Sequence, residues 1–277
     1  MSINEIDIKK CSGKIAKFSE LKLCSSLEKA GANKDLIDTI LTSVKEELYC
    51  GITTKEIHNR AFALLKGKNS YLASKYKLKK AIYELGPTGF PFEVFVSRLL
   101  KYSGYTTETN VVLQGKCVTH EIDVIAEKEN TITFIECKYH SDQGLKCNVK
   151  VPLYIQSRYL DVKAIYNKTN KQHLGKGWVV TNTKFTKDAL KYGNCAGLYL
   201  LSWNLPINNG LKDRIDRLGL YPITVSTLLT KREKQFLINR NVVLCRDLLK
   251  DVFYLDHLGV SEVRKKKILG EIKQLCS

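Results

Sequence analysis

The sequence changes character at Gly86-Pro87-Thr88-Gly89-Phe90-Pro91, and no single regular element can run through that segment. Before it, apolar residues recur with a helical period. Leu21, Leu23, Cys24 and Leu27 form one stripe, with Ser19 as N-cap, Phe18 as staple and Gly31 as stop. Leu36, Ile37, Ile40, Leu41, Val44 and Leu48 form a second stripe, which Gly51 ends. Thr53 and Glu56 read as a capping box for a third helix carrying Ile57, Ala61, Leu64 and Leu65, and a fourth helix spans about 71–85. After the break, Pro91 starts a helix with Phe92, Phe95, Val96, Leu99 and Leu100. Beyond Gly104, β-type residues fill about 106–113, 118–125 and 131–137. A helix near 153–166, a strand at 178–181, a helix at 186–192 and a strand at 198–201 follow. Helix, three strands, helix, strand, helix, strand describes an α/β sandwich. Past Pro206 the pattern is helical again, near 231–239, 244–250 and 261–275. The expected organisation is therefore multidomain: a helical segment 1–86, an α/β segment 87–206 and a small helical segment 207–277.

Charge bears on partners. The 277 residues carry 45 Lys+Arg against 28 Asp+Glu, a net +17. The excess is spread as +6 over residues 1–90, +6 over 91–230 and +5 over 231–277, so there is no basic tail. A polyanion is the expected partner, with nucleic acid first. No run approaches the ~18 apolar residues of a membrane span, and the opening MSINEIDIKK lacks a signal-peptide core. The nine cysteines form no C-x-x-C pair and read as reduced thiols of a cytoplasmic protein. Cys137, His140 and Cys147 fit no common zinc spacing.

Chemistry concentrates in the α/β segment. Glu136 and Lys138 lie two apart in an apolar strand, ITFIECKYH, so they share a face while Cys137 points to the other layer. A hairpin across 127–130 brings Asp123 beside Glu136. Two carboxylates and a lysine at one sheet end suit Mg²⁺ and an oriented water, with Glu93 as a further ligand or supporting contact. The other two Glu-x-Lys pairs, Glu20/Lys22 and Glu271/Lys273, fall in helices, where such residues do not face each other. Spacing alone leaves a surface ion pair as the alternative.

The segment GFPFEVFVSRLLKYSGY…HEIDVIAEKENTITFIECKYH resembles the Mrr-like restriction endonucleases of the PD-(D/E)xK superfamily. Their pattern of a helix Glu, a strand Asp and Glu/Gln-x-Lys on the next strand matches Glu93, Asp123, Glu136 and Lys138. The later stretch GWVVTNTKFTKDALKYGNCAGLYLLSW looks like the strand–helix–strand that closes such domains, and Gln156 matches a frequent family glutamine. The resemblance covers about 87–205 and implies Mg²⁺-dependent hydrolysis of DNA phosphodiesters, held by Asp123 and Glu136, in a setting of DNA restriction or defence.

Two flanking resemblances complete the reading. IKKCSGKIAKFSELKLCSSLEKAGA followed by GITTKEIH resembles the ATP-cone, a nucleotide-sensing module. Lys10 and Lys22 match positions that meet the triphosphate, and Thr54 and His58 match positions lining the nucleotide pocket. Cys11-Ser12 replaces the usual Arg-Asp and Ala16 replaces an acidic residue, which leaves ATP or dATP open. The C-terminal run from Leu229 is similar to helix-hairpin-helix domains. That makes Gly259 the candidate turn and Arg264, Lys265, Lys266 and Lys267 the candidate DNA-phosphate contacts. The expectation is a homo-oligomeric DNA endonuclease regulated by ATP or dATP. Its alternatives are a non-catalytic, nucleotide-responsive DNA-binding regulator and a nuclease of RNA or branched DNA.

Overall fold

The computed structural model describes residues 6–10, 12–170 and 172–277. The chain opens with an antiparallel hairpin, β1 (Asp7–Lys9) and β2 (Ile15–Lys17). The sequence pattern suggests only helices here, because three-residue strands are too short to display alternation. Four helices follow: α1 (Glu20–Lys29), α2 (Lys34–Glu46), α3 (Thr54–Lys68) and α4 (Ser70–Tyr83). Thr53 caps α3 by accepting the Glu56 N–H at 3.0 Å. Only half of the expected capping box forms, since the Glu56 carboxylate turns to Arg60 and Tyr49 instead. Ser19 holds the N-cap position of α1 without a side-chain capping bond. Ile8, Phe18, Leu27, Ile40, Ile52 and Leu65 close a first apolar core, which α4 enters with Ala73.

The second half of α4 belongs elsewhere. Leu78, Ala81 and Ile82, with Leu85 just past its end, are buried in a second, larger core. That core is built around α5 (Phe90–Lys101) and a sheet whose first three strands are β3 (Thr106–Gln114), β4 (Thr119–Lys128) and β5 (Thr131–Lys138). These three are antiparallel neighbours. After β6 (Lys146–Cys147), α6 (Lys150–Thr169) and β7 (His173–Leu174) come β8 (Trp178–Thr181), β9 (Lys184–Phe185), α7 (Lys187–Cys195) and β10 (Tyr199–Leu201). The sheet order is β10-β8-β5-β4-β3, with β8 parallel to β5 and β10 parallel to β8. β7 pairs with the start of β5, and β6 pairs with β9 in a separate two-stranded ribbon. Helix α5 covers one face through Val124, Ala126, Ile135 and Cys137. Helix α6 covers the other through Ile132 and Phe134 against Val162 and Tyr166. This is the α/β sandwich expected from the pattern.

The rest of the chain is helical: α8 (Leu211–Leu218), a 3-10 turn at Ile223–Val225, α9 (Lys231–Ile238), α10 (Cys245–Lys250), α11 (Phe253–His257) and α12 (Glu262–Cys276). Leu211, Ile215, Leu244, Leu248, Ile268 and Ile272 are fully buried in the same core as α5 and the second half of α4. One buried polar centre fixes α12 to α4. The Glu271 carboxylate, 4% exposed, accepts from Ser74 Oγ (2.8 Å), Ser226 Oγ (2.5 Å), and Thr227 Oγ1 (2.7 Å) and N (2.9 Å). A buried carboxylate with four donors is well satisfied.

Candidate active site

The β4–β5 hairpin sets the site. Its turn is Glu129-Asn130, with φ of 51° and 60°, the left-handed pair that suits a tight two-residue hairpin. The register runs from Lys128↔Thr131 to Val124↔Ile135, so Asp123 reaches the level of Glu136. The backbone N–H of Cys137 donates to Asp123 Oδ2 at 2.7 Å and fixes that carboxylate. Cys137 itself is buried against α5, so Glu136 and Lys138 project to the opposite face. Glu93 enters from the first turn of α5.

The electrostatics tie the three carboxylates together. Burial pushes Glu93 up to about 7, and repulsion from Asp123 and Glu121 adds to it. Burial also raises Glu136 to about 7, helped by Asp123 and Glu93 and opposed by Arg158. Asp123 is raised by burial too, against the Cys137 N–H and the positive charges of Arg158 and Lys138. Negative charge is therefore crowded and under-compensated at this end of the sheet. Lys138 is exposed beside it.

Arg158 on α6 is the residue that sequence reasoning missed. Its Nη1 pairs with Glu136 Oε2 at 2.6 Å, and Nη2 donates to the Glu121 carbonyl. Tyr154 lies 5.4 Å from its guanidinium, ring centroid to carbon. The signal was a cation at one edge of the Ile155, Tyr159, Val162, Tyr166 stripe, as Lys163 is at the other. Gln156, one residue beyond Ile155, keeps a buried Oε1 with no hydrogen-bond partner among the described residues.

The strand end is held from two sides. The Tyr139 hydroxyl donates to the Tyr83 carbonyl at 2.7 Å and accepts the Gly86 N–H at 2.9 Å. A Cβ at Gly86 would meet that hydroxyl oxygen at 2.6 Å, which explains a glycine there. Asn182, fully buried, exchanges two hydrogen bonds with the His140 backbone.

The remaining candidates fall in two other places. Lys9 N bonds to the Ile52 carbonyl, which brings the β1–β2 hairpin to the start of α3. Lys10 and Thr54 consequently line one cleft, and Thr54 and His58 line the adjoining one. Lys22 is exposed on α1, outside both linings. In the C-terminal helices Gly259, at φ +65°, makes the left-handed turn between α11 and α12. Arg264 is engaged with both carboxylate oxygens of Glu233, and Lys265 pairs with Asp256 at 2.6 Å. Lys266 and Lys267 are exposed.

An uncharacterized protein of Archaeoglobus fulgidus is 34% identical over 181 residues, 65% of this chain and 99% of the relative. Residues 221–276 match the family model described as AF1548-like, C-terminal. The chain belongs to the AF1548-like family. A crystal structure described as a protein of unknown function, AF1548, superposes on it with a TM-score of 0.56. That pair is 33% identical, covering 68% of this chain and 98% of the other. Residues 87–203 match the restriction endonuclease family model, and the segment is a restriction endonuclease-like α/β domain. Both model matches of this AF1548-like protein begin at or after residue 87. Among its described residues, no helix is long and apolar enough to cross a membrane.

Proposed function

We propose that this protein is a divalent-metal-dependent DNA endonuclease whose activity is regulated by nucleotide bound at its N-terminal lobe. The observation that carries the nuclease reading is the crowding of Glu93, Asp123 and Glu136 beside Lys138 in a restriction endonuclease-like domain.

The residues present fit Mg²⁺. Among the described residues, no three His, Cys, Asp or Glu side chains form a ready-made cage. Mg²⁺ does not require one, because it keeps several waters and takes one or two carboxylates plus phosphate oxygens. Asp123 and Glu136 would hold it, and the raised proton affinity of both, set first by burial, reflects a site where carboxylate charge is costly without a cation. Gln156 keeps an orphaned buried Oε1, and its role as a water acceptor in this reading rests on the family resemblance alone. When bound, the ion supplies charge stabilisation and lowers the pKa of its water. The chain's own residues do the rest. The Cys137 N–H orients Asp123, Arg158 orients Glu136, and Lys138 meets the phosphate oxygens and stabilises developing charge. The basic surface and the exposed Lys266 and Lys267 support a DNA substrate held through its backbone. Two copies acting together would cut both strands of a duplex.

The regulatory half of the reading rests on the ATP-cone-like sequence and on the placement of Lys10, Thr54 and His58 around adjoining clefts. The test is digestion of duplex, single-stranded and branched DNA and of RNA with Mg²⁺, with and without ATP or dATP. Metal-dependent cutting lost in Lys138→Ala is expected. Cutting that persists in Lys138→Ala would remove the assignment. Binding of DNA without cutting under any divalent metal would favour a regulator instead.

A further inference from the structure

Two clefts adjoin between the N-terminal lobe and the nuclease domain. One, of 410 Å³, has Lys55, His58, Lys75 and Tyr76 on one side and Trp203 and Lys212 on the other. The next, of 490 Å³, has Lys10 and Lys79 on one side and Gln143, Lys146 and Lys184 on the other. They share Thr54, Lys79, Gln143 and Trp203, so they form one trough. Among the described residues its lining holds nine lysines against a single acid, Asp216, which is already engaged by Lys212 at 3.3 Å and by the Tyr221 hydroxyl. Such a trough selects a compact polyanion.

The nuclease wall of this trough carries an unusual pairing. In the β6–β9 ribbon, Lys146 stands in register with Lys184, and both are exposed. Like charges side by side on paired strands destabilise the pair. The other pair of the ribbon, Cys147 and Phe185, is buried in an apolar core and anchors it, which leaves the two ammonium groups together on its exposed side, where a polyphosphate would relieve their repulsion. The aromatic end is of a different kind. His58 stacks on Tyr76 with centroids 4.5 Å apart and planes 12° apart. Burial, with Lys80 nearby, lowers His58 to about 4, so its imidazole is neutral and offers one donor and one acceptor. A neutral ring edge at one end and lysines at the other match a base and its phosphates.

We infer that the trough is a nucleoside-triphosphate site shared between the two lobes, with the base at His58 and Tyr76 and the phosphates spanning from Lys10 to Lys146 and Lys184. This rests on the nucleotide reading above and adds that half of the phosphate site belongs to the nuclease domain. The consequence is regulatory. The 139–145 loop joins β5, which carries Glu136 and Lys138, to β6, which carries Lys146. A ligand holding Lys146 against the N-terminal lobe would tie down the loop that leaves the catalytic strand, so occupancy and the geometry of Lys138 are linked through that one loop.

The experiment is ATP titration by calorimetry on the full chain. The variants are Lys146→Gln, Lys184→Gln, their double and His58→Ala, with thermal midpoints measured alongside. Both lysines are exposed and repel each other, so the midpoints do not fall. The double variant is expected to weaken ATP binding about tenfold or more, the loss of about 1.4 kcal/mol that two charge-assisted contacts readily supply. ATP binding that is unchanged in the double variant but lost in His58→Ala overturns the shared site and leaves the N-terminal nucleotide reading standing. Absence of ATP binding by the wild type overturns both. Duplex DNA affinity that falls in the double variant while ATP binding holds assigns the lysines to the DNA backbone and also overturns the inference.

Discussion

Replacing Arg158 with Leu tests the electrostatics of the carboxylate cluster through their dependence on pH. The guanidinium and the Glu136 carboxylate are 13% and 20% exposed, so the pair is largely out of water. Glu136 has a folded pKa of about 7 against an ordinary 4.5. The folded state therefore binds this proton more tightly than the unfolded state. Stability tied to Glu136 is highest below pH 4.5 and falls as pH rises through about 7, a cost of about 3 kcal/mol at pH 8. Arg158 holds that cost down, and without it the charged carboxylate faces Asp123 and Glu93 alone. Breaking a buried pair from one side costs ~3–5 kcal/mol, and the residual exposure here brings it to about 2–3 kcal/mol at pH 8. At pH 5 Glu136 is protonated in the fold, and the Arg158→Leu substitution then removes only a hydrogen bond of about 1 kcal/mol or less. Thermal unfolding should drop by about 5–9 °C at pH 8 and by no more than about 3 °C at pH 5. In a Glu136→Gln background the pH difference should shrink to the smaller part that Arg158 contributes by opposing the shift of Asp123. An equal drop at both pH values, or a difference undiminished in that background, would refute the argument.

Other expectations follow from separate parts of the molecule. Mg²⁺ or Ca²⁺ at about ten times the dissociation constant of the site should stabilise the protein by about 1.4 kcal/mol at pH 8, read as a thermal shift. The shift should shrink at about pH 5.5 and disappear in Asp123→Asn. Glu271→Leu strands the hydroxyls of Ser74, Ser226 and Thr227 in the core, and denaturant titration should report a loss of about 3 kcal/mol or more. Lys266→Ala with Lys267→Ala should lower DNA affinity and flatten the salt dependence by about 1.8 in log–log slope, without destabilising the fold. Arg264→Ala should instead destabilise the fold at neutral pH. Arg264 holds the Glu233 carboxyl near 2, so that contribution is present above about 4.5 and is lost as pH falls through about 2.

Local pattern made much of the fold legible. The run ITFIECKYH fixed the strand, its faces and the neighbourhood of Asp123, and the break at Gly86–Pro91 separated the two regimes of periodicity. What escaped has physical reasons. β1, β2, β6 and β9 are two or three residues long and carry no period. Arg158 joins the site only because α6 lies across the sheet, a tertiary fact that spacing within α6 does not encode. Arg264 and Lys265 read as free cations in a basic run, and their partners Glu233 and Asp256 lie on other helices. The continuity of the α5 core with the C-terminal helices was hidden for the same reason, since each helix shows an apolar stripe without naming what it meets.

Helix α4, with one end in each core, also sets an order of events at the ribosome. Ala73, near its start, needs only residues already made, because it packs among residues 8 to 65. The turns that follow do not. Ser74 waits for Glu271, 197 residues downstream, and Leu78, Ala81 and Ile82, with Leu85 just past the helix, wait for partners that extend to Leu275. At ~5–20 residues per second, that delay is about 10–40 s of synthesis. Throughout it, an already folded lobe displays an uncovered apolar stripe to solvent, which the 3-10 turn at Ile223–Val225 and then α12 cover.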